Sequence, residues 1–399
     1  MWTRAFDTVM RSFIQGGALE ITYADGHIAR YGDPSEPIRI TFSDPHLPRK
    51  ILLSPDIAIG EAYMDGRVSI AQDDLRGFLQ LVMHSRSALR YDGLMRWRNR
   101  LAGPVQPLID RFSPLRSKDN VAHHYDLSSD LYDLFLDEDR QYSCAYFRDP
   151  GMTLEAAQEA KKHHIARKLG VRDGDRVLDI GCGWGGMALT LARDYGAHVT
   201  GVTLSEEQHA IARRRVEEAG LADRIDIRLM DYRDVTETFD RIVSVGMFEH
   251  VGRPQYGTYF SHIHDSLAEG GVALVHTIGN LTAPRATSPW IRKYVFPGGY
   301  LPSTSHIAEA VEGSGLMFAD LEVLRGHYAQ TLAHWQTRFV ARIDEARTLY
   351  DERFCRMWRY YLTAAELGFL IDRLAVLQCQ LVRDKSAVPA TRDYLYSAA

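Results

Sequence analysis

The 399-residue chain has little cysteine, no long apolar run and no excess of positive charge, and each scarcity removes a class of protein. Its four cysteines, Cys144, Cys182, Cys355 and Cys379, are scattered without a CxxC pair. That argues against a zinc cluster or a disulfide scaffold, so no metal is expected and each cysteine acts singly. No stretch approaches the roughly 18–20 apolar residues needed to span a bilayer. The first residues, MWTRAFDTVMRSFIQGG, lack the uninterrupted apolar core of a signal peptide, and a cytoplasmic address is expected. A net charge of −5 disfavours a general nucleic-acid binder, although it does not exclude local basic patches. Internal repeats and low-complexity tracts are absent.

What is present is a globular composition, 45% hydrophobic, enough to supply cores for two domains. Trp2, Phe6, Val9 and Phe13 recur at helical spacing, so the N-terminus reads as an amphipathic helix whose stripe faces a core, a dimer partner or a membrane surface. ALEITYADGHIARYG reads as two strands around an Asp25-Gly26 turn, and DDLRGFLQLVMHS as a helix. From Arg86 to Lys118 there are eight basic residues against two acids, with Tyr91, Trp97 and Phe112 interleaved. This stretch is either a solvated linker or a surface that meets anionic lipid, where each basic residue contributes about 1 kcal/mol. The expected organisation is an N-terminal lipid- or dimer-contact domain over 1–85, a basic linker over 86–118 and a larger domain over 119–399.

After Val171 strand and helix patterns alternate, the signature of an α/β, doubly wound, mainly parallel sheet. The predicted strands are RVLDI, HVTGVT, RIDIRL, FDRIVSV and GVALVHTI, with LMFADLEVLR and LAVLQCQLVRD following, seven in all. VLDIGCGWGGMALTLA places Gly181, Gly183 and Gly186 between the first of these strands and a helix, in the spacing of a dinucleotide fingerprint. A dinucleotide site also places an acid at the end of the second strand, about 20 residues further on, to bind the ribose. Here that position reads GVTLSEEQ, which has no acid where one is needed, so a nicotinamide enzyme loses its second signal.

Asp179, two residues before the first glycine, resembles instead the nucleotide loop of S-adenosylmethionine-dependent methyltransferases, with MDYRD at 230–234 where their adenine pocket begins. Further stretches narrow the resemblance: HYDLSSDLYDLFLDEDRQYSCAYF, SVGMFEHVG, HTIG, PWIRKYVFPGGYLPS and GEAYMDGRVSI. From about Gly60 to Leu381 the chain strongly resembles the cyclopropane-fatty-acid synthase family, including the related mycolic acid methyltransferases. The resemblance implies a methyltransferase (Rossmann-like) sheet with a smaller N-terminal α+β domain. It also implies methyl transfer from S-adenosylmethionine to the cis double bond of unsaturated acyl chains in membrane phospholipids, peripheral contact with the membrane and a homodimer.

The same resemblance implies site residues. Cys144, Glu249, His276, Ile278 and Tyr328 carry over to the family's site for a bound bicarbonate, the base that removes a proton from the transferred methyl so that the ring closes. Glu249 would accept the bicarbonate hydroxyl, with Cys144 and the Ile278 backbone as weak donors and His276 and Tyr328 as stronger ones. Tyr142 and Ser143 are expected at the methionine end of S-adenosylmethionine, with Gly181, Gly183 and Gly185 lining the loop. Thr203, Ser205 and Gln208 replace the ribose acid by neutral hydrogen bonds, and Tyr232 lies near adenine. Phe147, Tyr259, Phe296 and Tyr300 are aromatic candidates for stabilising a carbocation. The chain departs from some relatives at Ala365, where they have a cysteine, and Glu366 beside it reads as an ion-pair partner outside the site. A different fate of the carbocation, giving a methylated, methylene or hydroxylated chain, remains open, as does a noncatalytic lipid-binding relative.

Overall fold

The computed structural model describes residues 2–91 and 128–396; the basic stretch is outside the described residues from 92 onward. The chain groups into two compact units. One contains the N-terminal residues together with Thr287–Pro297 and Leu332–Arg373; the other contains the intervening segments and Leu374 onward.

In the first unit, helix α1 (Trp2–Phe13) buries Phe6 and Met10, and Ile14 just beyond it is buried too. The buried face therefore runs i, i+4, i+8 and is offset from the predicted stripe: Trp2 and Val9 are exposed. The Asp25-Gly26 turn joins β1 (Ala18–Thr22) to β2 (Ile28–Gly32) as expected. Two further strands, β3 (Ile38–Phe42) and β4 (Val68–Ile70), complete a sheet ordered β2-β1-β3-β4. At three residues β4 is too short for alternation to reveal it. Helix α2 (Leu75–Tyr91) follows, and Arg86 pairs with Asp56 at 3.0 Å. Two of the sequence motifs meet in this unit. A Cβ at Gly60 would lie 2.4 Å from Trp290 Nε1, so only glycine lets the GEAYMDG helix pack against PWIRKY. Lys293 and Tyr294 then both reach Glu61 Oε1 at 2.7 Å. Glu366, on the helix Glu352–Leu370, pairs with Arg76 at 2.9 Å, the structural role its sequence position suggested.

The second unit is built on seven strands: β5 (Arg176–Ile180), β6 (His198–Thr203), β7 (Ile225–Leu229), β8 (Phe239–Val245), β9 (Leu267–Asn280), β10 (Met317–Leu324) and β11 (Leu374–Val382). Their order is β10-β11-β9-β8-β5-β6-β7, and only β11 runs against its neighbours. Successive residues of β9 enter opposite layers: Val272 and Leu274 join one core, Ala273 and Val275 the other. Helices α3 (Leu154–Leu169), α4 (Gly186–Tyr195) and α5 (Glu206–Glu218) cover the first face. Helices α6 (Tyr256–Ser266) and α7 (Thr304–Ser314) cover the second. From β5 the chain winds outward through β6 and β7, then returns to pair β8 on the other side of β5. The carboxyl ends of β5 and β8 therefore flank the topological switch point, where open α/β sheets bind ligands.

Candidate functional site

At the end of β5 the glycine loop takes a conformation that side chains resist. Gly181, Gly183 and Gly185 have φ of 79°, 55° and 81°, all left-handed. Gly186 leaves room of a different kind: a Cβ there would lie 2.2 Å from Gln141 Nε2 and 2.5 Å from Asp139 Oδ2, so the N-terminus of α4 lies against the side chains of Asp139 and Gln141. Asp179, one turn before, is buried, and its Oδ2 has no hydrogen-bond partner among the described residues. Burial pushes its carboxyl up to about 7, against the opposing pull of Lys161.

At the end of β6 the missing acid is replaced by a neutral cluster. Thr203 Oγ1 donates to Gln208 Oε1 at 3.2 Å, and Ser205 caps α5 by accepting the Gln208 N–H at 3.3 Å. Ser205 therefore has a helix-capping task in addition to the expected one. Tyr232, just beyond β7, stands edge-on to Tyr259 with centroids 5.5 Å apart. Tyr259 is fully buried in the core beneath it, and the half-buried Phe296 lies in the first unit with its ring edge-on to Tyr361 at 5.8 Å between centroids.

The segment carrying Tyr142, Ser143 and Cys144 has no regular structure and is fixed by side chains of α3. Gln158 Nε2 donates to the carbonyls of Gln141 and Ser143 at 3.1 and 3.0 Å. Lys161 Nζ donates to Gln141 Oε1 at 2.6 Å and Ser143 Oγ at 2.8 Å. Burial draws the Lys161 ammonium down to about 8, partly opposed by Asp137. These anchors were not found in the sequence, because a glutamine and a lysine inside an ordinary helical pattern give no signal.

The expected anion residues come from four places: the irregular Cys144 segment, a turn after β8, β9 and a later helix. Glu249 lies in a single 3₁₀ turn (Phe248–His250) after β8, and β9 supplies His276 and Ile278, two residues apart and so on one face. The turn is tied to β9: Gly246 N–H donates to His276 O at 2.9 Å, and Ile278 N–H to Glu249 Oε1 at 2.6 Å. The Ile278 N–H thus holds the Glu249 carboxylate against β9. Glu249 Oε2 is buried without a partner among the described residues, and burial raises its carboxyl despite the Ile278 N–H. His276 Nδ1 accepts from Gln378 Nε2 at 3.1 Å, which puts the ring proton on Nε2; Nε2 is also buried and unpartnered. Burial holds this imidazole neutral, well below its ordinary range. Cys144 donates to Ala145 O at 3.3 Å, and burial drives its thiol far up. Tyr328 is buried near the start of α8 (His327–Ala341). One acceptor and one donor, buried and unsatisfied on adjoining elements, suit a small anion that carries a hydroxyl. Gln378 is a further site residue that sequence reasoning missed.

Comparison with known proteins agrees with this geometry. Residues 112–379 match the family described as mycolic acid cyclopropane synthetase, and residues 5–90 match a domain of unknown function. The cyclopropane-fatty-acyl-phospholipid synthase of Escherichia coli (strain K12) is 41% identical over 347 residues, 84% of this chain and 85% of that protein. The tuberculostearic acid methyltransferase UfaA1 of Mycobacterium tuberculosis is 38% identical over 92% of this chain and 88% of its own. The mycolic acid cyclopropane synthase CmaA1, solved with S-adenosylhomocysteine and CTAB, superposes with a TM-score of 0.63 at 35% identity, covering 66% of this chain and 97% of that one. A positive-φ glycine loop, a neutral strand end in place of the ribose acid, and this kinship lead to one conclusion: the chain belongs to the mycolic acid cyclopropane synthetase family and is an S-adenosylmethionine-dependent methyltransferase.

Proposed function

We propose that the protein converts the cis double bond of unsaturated phospholipid acyl chains into a cyclopropane, with bicarbonate bound at Glu249, His276 and Tyr328 as the base. The reading rests most on two buried polar atoms without a hydrogen-bond partner among the described residues, Glu249 Oε2 and His276 Nε2. Bound S-adenosylmethionine supplies an electrophilic methyl on a sulfonium; its transfer to the alkene leaves S-adenosylhomocysteine and a carbocation, and loss of a proton from the new methyl closes the ring. Glu249, held by Ile278, would accept a hydrogen bond from the hydroxyl of a bound bicarbonate and so orient the base. His276 donates from Nε2 because Gln378 fixes the tautomer. Cys144 stays a neutral thiol through burial, so it offers no thiolate for the sulfonium to alkylate. Asp179 and the three left-handed glycines form the cradle for the nucleotide, with Thr203, Ser205 and Gln208 at its ribose and Tyr232 at its adenine.

Among the described residues no helix is long and apolar enough to cross a membrane. We assign peripheral contact with anionic lipid to the 86–118 stretch, on its charge and aromatic content alone, and a homodimer as a family expectation. A second reading ends in a methyl-branched chain, favoured by the likeness to UfaA1. Bicarbonate dependence tests the base: turnover in buffer stripped of carbon dioxide should fall and recover on readdition, and an unchanged rate would assign deprotonation to the protein.

A further inference from the structure

The segment that carries Cys144 is gripped from two sides, and the second grip belongs to the helix that carries Tyr328. Ala145 N–H donates to Thr331 Oγ1 at 3.0 Å, and Phe147 N–H donates to His327 Nδ1 at 3.0 Å. Thr331 Oγ1 in turn donates to the carbonyl of His327 at 2.8 Å, so one turn of α8 holds two alternate amides of the segment, while the Tyr146 N–H between them donates to Ala157 O at 3.0 Å. His327 is itself placed by a stack. The Tyr146 ring lies between His327, with centroids 5.1 Å apart and planes 9° apart, and His164, at 4.2 Å and 8°. His164 Nε2 is fixed against Glu322 Oε2 at 2.6 Å, and Lys168 Nζ reaches the same oxygen at 2.5 Å. A ring that accepts at Nδ1 carries its proton on Nε2 and is neutral. Burial draws the His327 imidazole down, Glu322 opposes this and His164 assists, so neutrality is the favoured state.

We infer that His327 is a positioning residue for methyl-group deprotonation: by accepting the Phe147 N–H it locks the Cys144 segment to the first turn of the Tyr328 helix and so fixes the width of the anion pocket. The inference rests on the bicarbonate reading above. It assigns His327 no contact with substrate or cofactor; its effect passes through the spacing of Cys144 and Tyr328. The cofactor half of the segment is held independently, by Gln158 and Lys161 of α3. Loosening the α8 grip should therefore slow turnover and spare cofactor binding. Misplacing groups by about 1 Å in a reacting site costs up to roughly 100-fold in rate.

The test is a set of three substitutions in the full chain, assayed with S-adenosylmethionine and vesicles of monounsaturated phospholipid. His327→Asn puts an amide oxygen where Nδ1 stands, whereas His327→Gln carries it one carbon too far, and His327→Phe keeps the ring stack but removes the acceptor. The expected result is kcat within about threefold of wild type for Asn and at least about tenfold lower for Gln and Phe, with KM for S-adenosylmethionine unchanged throughout. Thermal midpoints confirm that each variant is folded, and the Asn–Gln pair decides the matter if the Phe variant fails to fold. Equal kcat for Asn and Gln, or a loss that appears in KM for S-adenosylmethionine, overturns the proposal. Tyr328→Phe in the same assay tests the parent reading separately: full activity there removes the anion site and not the clip.

Discussion

Replacing Glu249 by glutamine separates catalysis from folding, because the two carboxylate oxygens do different work. Oε1 accepts the Ile278 N–H at 2.6 Å, and the amide oxygen of glutamine keeps that bond. A hydrogen bond to a charged acceptor is worth roughly 1.5–3 kcal/mol and a neutral one roughly 0.5–1.5, so about 1 kcal/mol is lost there. The loss is offset by relief of a carboxylate whose burial raises its proton affinity. Net stability should shift by no more than about 1 kcal/mol. Oε2, which is buried without a partner among the described residues, becomes an N–H2 group that cannot accept the bicarbonate hydroxyl. A positioned proton-transfer group contributes about 10²–10⁴ in rate, so kcat should fall by that factor, roughly 3–5 kcal/mol of barrier, with binding of S-adenosylmethionine nearly normal. The pH signs follow from the raised carboxyl. Wild-type activity should climb as pH rises through a value above the ordinary glutamate range, while the stability owed to the protonated, buried carboxyl is present below the unfolded pKa and lost across the same rise. Glu249→Gln should lack that slope in stability. Steady-state kinetics with thermal unfolding across pH 5–9 reads both, and a fully active Glu249→Gln protein would refute the reasoning.

The remaining predictions concern the nucleotide and the membrane. S-adenosylhomocysteine should raise the thermal midpoint by the linkage any native-state ligand obeys, and NAD should not, because the end of β6 has no acid for its ribose; equal stabilisation by the two would contradict the cofactor assignment. Reversing Arg96, Arg98 and Arg100 to glutamate should weaken cosedimentation with anionic vesicles, increasingly so at low salt where the field extends further than its roughly 8 Å at physiological ionic strength. S-adenosylhomocysteine binding should survive that change, and normal cosedimentation would make the stretch a linker.

The seven strands of the larger sheet were legible because each carries β-branched and apolar residues, in a run or in alternation, between turn signals, and the glycine loop because Gly181, Gly183 and Gly186 follow a strand at a spacing that can be read. The anion residues were legible only as members of resembling motifs: nothing in the local pattern of Glu249 or His276 shows that each keeps an unsatisfied atom in the interior. Their supports were invisible. Gln378 meets His276 across a strand pair separated by 102 residues, and Thr331 meets Ala145 across 186, distances over which one sequence carries no pairing information. The buried face of α1 was legible only in part, for a related reason. Trp2, Phe6, Val9 and Phe13 form a stripe, but Phe6, Met10 and Ile14 form another a fraction of a turn away, and only the sheet decides which is buried. The roles of Asp139 and Arg215, paired beside the loop with Lys162 at 2.7 Å from the same carboxylate, belong to tertiary structure as well.

The most direct measurement is the product. Purified protein, S-adenosylmethionine carrying an isotope-labelled methyl, and vesicles of a monounsaturated phospholipid are incubated, and the acyl chains are examined by mass spectrometry and NMR. The account predicts a gain of one CH2 unit per chain, with the labelled carbon in a three-membered ring at the former double bond and S-adenosylhomocysteine formed in equal amount. Label recovered in a methyl branch, an exocyclic methylene or a hydroxylated chain, or no label in the lipid at all, would contradict it.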